Sequence, residues 1–260
     1  MRYIYIAVLF LMVSFQSMAS EPLKVTYGLY ASGLNVVDIR GTYTIANDQY
    51  DLTMDLKTRG MLGKLAPWSG VIKSSGLNKG AKSTPLAHSF SSTWRGDTET
   101  TTQIFDELGL LKSMIIDEQG VISNSLPDPI VYKDKPTDML SAMFRAMNNQ
   151  SCEGKQPSFD KKRRFDMVFR SKGVDVMEQS KYSIFKGEAE ICEIEIVPVA
   201  GKWREKPRGW MSIQGQAKEN GQLPRLWFGK VRDDIPAIPV RFLIKTNYGA
   251  MVMHLKGVES

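Results

Sequence analysis

The stretch "VDIRGTYTIANDQYDLTMDLK", Val37 to Lys57, decides the fold. Val37, Ile39, Tyr43 and Ile45 share one parity, and Asp38, Arg40, Thr42 and Thr44 take the other. After the polar turn "ANDQ", Tyr50, Leu52, Met54 and Leu56 alternate with Asp51, Thr53, Asp55 and Lys57. Successive strand side chains point to opposite faces, so each run buries one face and wets the other. Two such runs around an Asn-Asp turn predict an antiparallel hairpin.

Outward from this hairpin the same idiom continues. An earlier strand is expected over Leu23 to Tyr30, and further strands near Val71, over Ala87 to Trp94, Thr100 to Phe105 and Leu110 to Ile116. Gly76, Gly80, Gly96 and Gly109 are expected to break the chain between them. Later, Phe165, Met167 and Phe169 share a face, as do Cys192, Ile194 and Ile196 with Glu193 and Glu195 opposite. Val240, Phe242 and Ile244, a turn at Asn247 to Gly249, and Met251, Met253 and Leu255 predict a closing hairpin. No repeat of fixed period and no long Pro/Gly/Ser linker divides the chain.

One helix stands out. In "KPTDMLSAMFRAMNN", Met139, Leu140, Met143, Phe144 and Met147 form a single apolar stripe, opened by Pro136, Thr137 and Asp138 and stopped by Asn148 and Asn149. The expected fold is mainly β: a single antiparallel domain, β-barrel-like or β-spiral, with one amphipathic helix packed on it.

The N-terminal "MRYIYIAVLFLMVSFQSMAS" places Arg2 before an apolar run and ends on small residues, the order of a secretory signal peptide. The run is shorter than the roughly 20 residues of a membrane-spanning helix. Residues 1–19 are read as the leader and 20–260 as one β-rich domain, periplasmic and not membrane-spanning after cleavage. The full chain carries 34 basic and 28 acidic residues, net +6, and loss of Arg2 lowers the surplus by one. So mild a surplus favours anionic surfaces without naming a partner. Cys152 and Cys192 are the two cysteines, and in an oxidising compartment they are expected to pair.

Chemistry is sparse. His88 and His254 lie in strand-like stretches, no G-x-S-x-G elbow surrounds a serine, and two distant histidines are too few ligands for a metal. Glu193 and Glu195 read as half-exposed outward positions of one strand rather than carboxylates bracketing a substrate. Asp233 and Asp234 sit in a turn beside Pro236. "GQAKENGQ" lacks the context of a phosphate loop. No catalytic residue, metal or cofactor is expected. The basic run Lys161, Lys162, Arg163 and Arg164 reads chiefly as a hydrophilic turn entering a strand, with contact to anionic lipid or wall as the other reading. Trp68, Trp94, Trp203, Trp210 and Trp227 serve either as core anchors or as the lining of a cavity, and Met61, Leu62, Leu65 and Trp68 in "GMLGKLAPWSG" would form its mouth.

Taken in order, "YGLYASGLNVVDIRGTYTI", "YDLTMDLKTRGMLGKLAPW", "PTDMLSAMFRAM", "FDKKRRFDMVF", "CEIEIVPVAGKW" and "LPRLWFGKVRDDIPAIPVRFLIKTNYGAMVMHL" resemble the exported bacterial family called domain of unknown function 3108. The resemblance spans most of the chain beyond the leader. It implies a β-rich envelope protein with no established activity and supplies no catalytic residues. The cysteines flanking "FDKKRRFDMVF" resemble the arrangement in its proteobacterial members. The function expected is non-enzymatic envelope maintenance with a lipid or other apolar ligand in a β cavity. The alternatives are a module contacting peptidoglycan or an envelope protein and, behind it, a hydrolase; nucleic acid is not expected as a partner.

Overall fold

The computed structural model describes residues 21–80, 82–124, 126, 128–148, 152–206, 209–247 and 249–259. The leader, residues 1–19, lies outside them. In chain order the first half runs β1 (Leu23–Ala31), β2 (Leu34–Ala46), β3 (Gln49–Thr58), α1 (Gly60–Leu65), β4 (Trp68–Lys79), β5 (Lys82–Trp94), β6 (Asp97–Phe105), β7 (Leu111–Glu118) and β8 (Val121–Asn124). Two helices follow, α2 (Pro129–Tyr132) and α3 (Met139–Asn148). The second half is β9 (Gly154–Phe159), β10 (Arg163–Met177), β11 (Gly187–Gly201), α4 (Trp210–Glu219), β12 (Arg225–Gly229), β13 (Ile238–Thr246) and β14 (Gly249–Glu259).

All fourteen strands form one antiparallel sheet in the order β8-β7-β6-β5-β4-β3-β2-β1-β14-β13-β12-β11-β10-β9. Each half is a meander, and the two halves join where β1 pairs with the last strand, β14. The expected hairpin is β2–β3, with Ala46 opposite Gln49. Its loop, Asn47 and Asp48, holds both residues at positive φ, 51° and 57°, the handedness that matches strand twist in a two-residue hairpin. Ser32–Gly33, Arg95–Gly96 and Gln119–Gly120 repeat that device.

One face of the sheet is lined by Leu23, Val25, Tyr27, Tyr43, Tyr50 and Leu52 from the first half. Phe165, Met167, Phe169, Cys192, Ile194, Val240 and Leu255 from the second half are buried in the same core. The sheet therefore coils around its own apolar face. It does not close: β8 and β9 end it on either side. The segment after α2 enters the gap, where Thr137 N–H donates to Pro157 O (2.9 Å) and Phe159 N–H donates to Thr137 O (3.0 Å). Phe105, Leu111, Val131 and Phe159 make a small second cluster there.

Two expectations are corrected. Four helices occur among the described residues, not one. The second ten-residue helix, α4, has a weak apolar stripe and docks through Gln214, whose amide exchanges hydrogen bonds with the Ile196 backbone N–H and C=O (2.8 and 2.9 Å). Gly76 does not break the chain; it lies inside β4. The Tyr50 ring covers it so closely that an added Cβ would lie 2.8 Å from Tyr50 Cε1 and 2.2 Å from Thr84 O. Helix α3 packs through most of its stripe, with Phe144 and Met147 buried and Leu140 and Met143 against the core, but Met139, expected on the same stripe at the first turn, is 47% exposed.

Candidate functional site

The register of the first meander sets out two zones along its inner face. Near α3 the inner residues are fully buried, from Leu23 and Tyr43 to Leu52 and Ser74. Toward the opposite end, Met54 pairs with Ile72 and Ile72 with Phe90, while Ile39 pairs with Leu56 and Leu29 with Val37. Strand partners share a face, so these residues form an apolar strip on the inner side. All of them are half-buried. Gly70 widens the strip: its missing side chain accommodates the Trp68 ring, 2.9 Å from where a Cβ would stand, with Phe90 at 3.4 Å. The Trp68 indole N–H donates to Ser92 Oγ across the same face (2.9 Å), which holds the ring in place.

At this end the β3–β4 connection forms α1. Arg59 N–H donates to Val36 O (2.9 Å) and tethers the connection to β2, yet α1 buries none of its residues. Met61, Leu62 and Leu65 are 77%, 40% and 69% exposed. A cleft of about 320 Å³ lies beside them, lined by Lys57, Pro67, Trp68, Thr93 and Arg95 among others. Of the four residues expected at a mouth, Trp68 lines this cleft and Met61, Leu62 and Leu65 do not; Lys57, Ser69 and Thr93 on its wall are register partners of outward parity.

The chemistry-bearing side chains gather elsewhere, beneath the start of α3. Asp138, 1% exposed, accepts from Ser141 N–H through Oδ1 (2.8 Å), which caps α3, and the same oxygen accepts the Ser74 hydroxyl proton (2.7 Å). His88 Nδ1 lies 2.8 Å from Ser74 Oγ and 3.1 Å from Asp138 Oδ1. Because the serine proton is committed to the carboxylate, Nδ1 is the donor in its contact with Ser74. Burial works to raise the Asp138 pKa, but His88 and the Ser141 hydrogen bonds outweigh it and hold the group at about 2. A serine nucleophile needs the opposite flow, with its proton accepted by the imidazole. The trio is arranged as a clamp between β4, β5 and α3. Tyr50, whose hydroxyl meets Ser141 Oγ at 2.9 Å, extends it to β3. No sequence spacing points to this group. The available signal is that Ser74 and His88 put polar side chains at the inward parity of strands whose inner neighbours, Ile72 and Phe90, are apolar.

The remaining candidates are dispersed. His254 packs against the Tyr30 and Tyr182 rings, and burial followed by Arg241 and Lys256 lowers its pKa. Glu193 and Glu195 are not half-exposed but buried (9% and 8%) beneath cations. Glu195 is bonded by Lys218 (2.7 Å) and Arg170 (2.8 Å), which lower its pKa, and Glu193 faces Lys172 and Arg225 at 3.9 Å. Asp233 and Asp234 pair with Lys230 and Arg232. The basic run does not act as one patch. Lys161 pairs with Glu99 across the seam, Arg163 with Asp160, and Arg164 is buried against Asp166 (2.9 Å). That leaves Lys162 and Arg163 facing solvent. Cys152 and Cys192 are joined in a disulfide, Cα to Cα 5.3 Å, which ties the chain after α3 to the inner face of β11.

Together these features define an open, β-barrel-like antiparallel protein with an apolar inner strip and a polar clamp under α3. The chain belongs to the DUF3108 family, described as a protein of unknown function, whose model matches residues 23–256. No curated protein matches it. Among solved structures it is similar to a beta-barrel-like protein of domain of unknown function DUF1849 from Brucella abortus, at 10% identity and a TM-score of 0.49 over 92% of this chain and 97% of that one.

Proposed function

We propose that the chain is an exported, non-catalytic envelope protein that holds a lipid or other apolar molecule along its inner strip. The observation that carries this reading is the half-buried run of Ile39, Met54, Leu56, Ile72 and Phe90, ending at Trp68, on the inner side of the sheet, away from the α3 clamp at Ser74 and His88. Apolar surface of this kind gains about 25 cal/mol for each Å² a ligand takes out of water. The leader read from residues 1–19 supports the periplasm as its location. The direction of proton donation in the Ser74–His88–Asp138 clamp supports a structural role for the polar cluster rather than hydrolysis. A wall-binding role through the basic run has less support, since that run is spent largely on internal pairs.

Protein purified in oxidised form from the periplasm is extracted with organic solvent and the extract weighed by mass spectrometry. A stoichiometric apolar molecule is expected, and Ile72→Ser with Phe90→Ser is expected to lose it. A clean extract together with no uptake of a fluorescent apolar probe overturns the reading.

A further inference from the structure

The surface around α1 combines exposed apolar side chains with exposed cations. Met61 and Leu65 are the most exposed apolar side chains of α1, Leu62 stands beside them, and Leu34, 72% exposed, projects from the adjoining β1–β2 turn. The two turns are neighbours: the backbone of Asn35 lies 3.7 Å from the position of a Cβ on Gly60. Around this apolar tip stand Lys57, Arg59, Lys64 and Arg95, all exposed. Arg59 is paired with Asp38 (3.1 Å), and Arg95 lies over the half-exposed Trp94 ring. Among the described residues no ion pair holds Lys57, Lys64 or Arg95, although acids stand near two of them: Asp38 is opposite Lys57 in the β2–β3 ladder, Asp55 is two residues from Lys57 along β3, and Asp97 is two residues from Arg95, so the four cations outnumber these three acids by one.

We propose that this surface is a contact site for an anionic lipid bilayer, into whose interface Met61, Leu62 and Leu65 insert while the surrounding cations meet the headgroups. A protein partner fits the geometry less well. A stable protein interface takes about 800 Å² from each side, far more than a six-residue helix and one turn offer. A bilayer needs no such area, because a few apolar side chains and a few cations act additively at its surface. The cationic ring supplies the charge complementarity that an apolar tip alone would lack, and its reach is about 10 Å at 0.1 M salt. The inference stands apart from the ligand reading, since an empty strip leaves the α1 surface unchanged.

The test is flotation of the full exported chain with phosphatidylcholine vesicles, with and without phosphatidylglycerol. Co-flotation is expected only when phosphatidylglycerol is present, and it weakens as salt rises. Met61→Ser with Leu65→Ser is expected to lower apparent affinity at least about tenfold, one decade being the scale of a single lost apolar anchor. Lys57→Ser with Lys64→Ser is expected to remove the phosphatidylglycerol dependence. These side chains are exposed in the folded protein, so unchanged urea midpoints establish that the variants fold. Absence of flotation, or flotation that the Met61/Leu65 variant keeps in full, overturns the proposal. Concentration-dependent dimerisation abolished by the same variant, without vesicle binding, would assign the surface to a second copy instead.

Discussion

His88 and Asp138 lie 50 residues apart in sequence and meet at 3.1 Å, with Ser74 bonded to both. The contact fastens the first turn of α3 to the inner face of the sheet and commits the only carboxylate among the inner-face groups named above to holding the helix. The helix position in turn decides which part of the inner face is covered and which remains as the apolar strip.

The Asp138 pKa, held near 2 against an ordinary 3.8, makes the clamp acid-sensitive. A carboxylate with a depressed folded-state pKa stabilises the fold above its unfolded pKa and loses that contribution as pH falls through the folded value. The window is therefore about pH 4 down to about pH 2, and the contribution at neutral pH is about 2 kcal/mol. Urea unfolding should show Asp138→Asn less stable than wild type by about that amount at pH 6. The difference should shrink as pH falls through the window. A gap that stays constant with pH would show that the carboxylate charge is not the source.

The close approach at Gly76 predicts a second effect. Any side chain there meets the Thr84 carbonyl, which cannot move without breaking the β4–β5 ladder, as well as the Tyr50 ring. Gly76→Ala should cost about 2–3 kcal/mol through overpacking. Gly33→Ala, with nothing within 4 Å and φ +85°, should cost only the roughly 1–2 kcal/mol of a left-handed backbone. Matched denaturant titrations distinguish the two, and equal losses would remove the steric account.

How far the sequence carried the fold follows from these particulars. The β2–β3 hairpin was legible because period-two alternation is local and Asn47–Asp48 satisfies the turn within the same stretch. Helix α4 was not legible. Its anchor is Gln214, a polar side chain that substitutes for a missing backbone partner of Ile196, and no hydrophobic periodicity records such a bond. The clamp was equally hidden, since Ser74 and His88 are brought opposite by strand register and Asp138 arrives only when α3 docks. Glu193 and Glu195 alternated as outward residues should, but their burial depends on Lys218 from α4 and Arg170 from the neighbouring strand. The cysteine pair needed no geometry to foresee.

That disulfide closes a loop with a sequence separation of 40. In the chain-entropy model such a closure contributes about 4 kcal/mol. Cys192→Ser should therefore lower stability by about that amount, and reductant should lower wild type to the same level while leaving the variant unchanged. A response of the variant to reductant, or none in wild type, would show that the bond does not form in solution.

The basic run supplies the last prediction, because its four members are expected to differ although the sequence presents them alike. Arg164 is 5% exposed and donates to Asp166 Oδ1 (2.9 Å) and to the Phe165 carbonyl (2.6 Å). Replacing it by Met strands a buried acceptor and leaves Asp166 with Lys155 at 3.1 Å, an exposed and weaker partner. The expected cost is about 3 kcal/mol, the scale of breaking one side of a buried pair. Lys162→Ser changes only a solvated side chain and should fall within about 0.5 kcal/mol of wild type. Arg163→Ser loses an exposed pair with Asp160 and a stacking contact 5.0 Å from the Trp203 ring centre, for an expected loss of about 1 kcal/mol. Urea midpoints of the three variants should therefore fall in the order Lys162→Ser, Arg163→Ser, Arg164→Met. Equal midpoints would mean that the run acts as one solvated patch after all, and the burial of Arg164 would have to be abandoned.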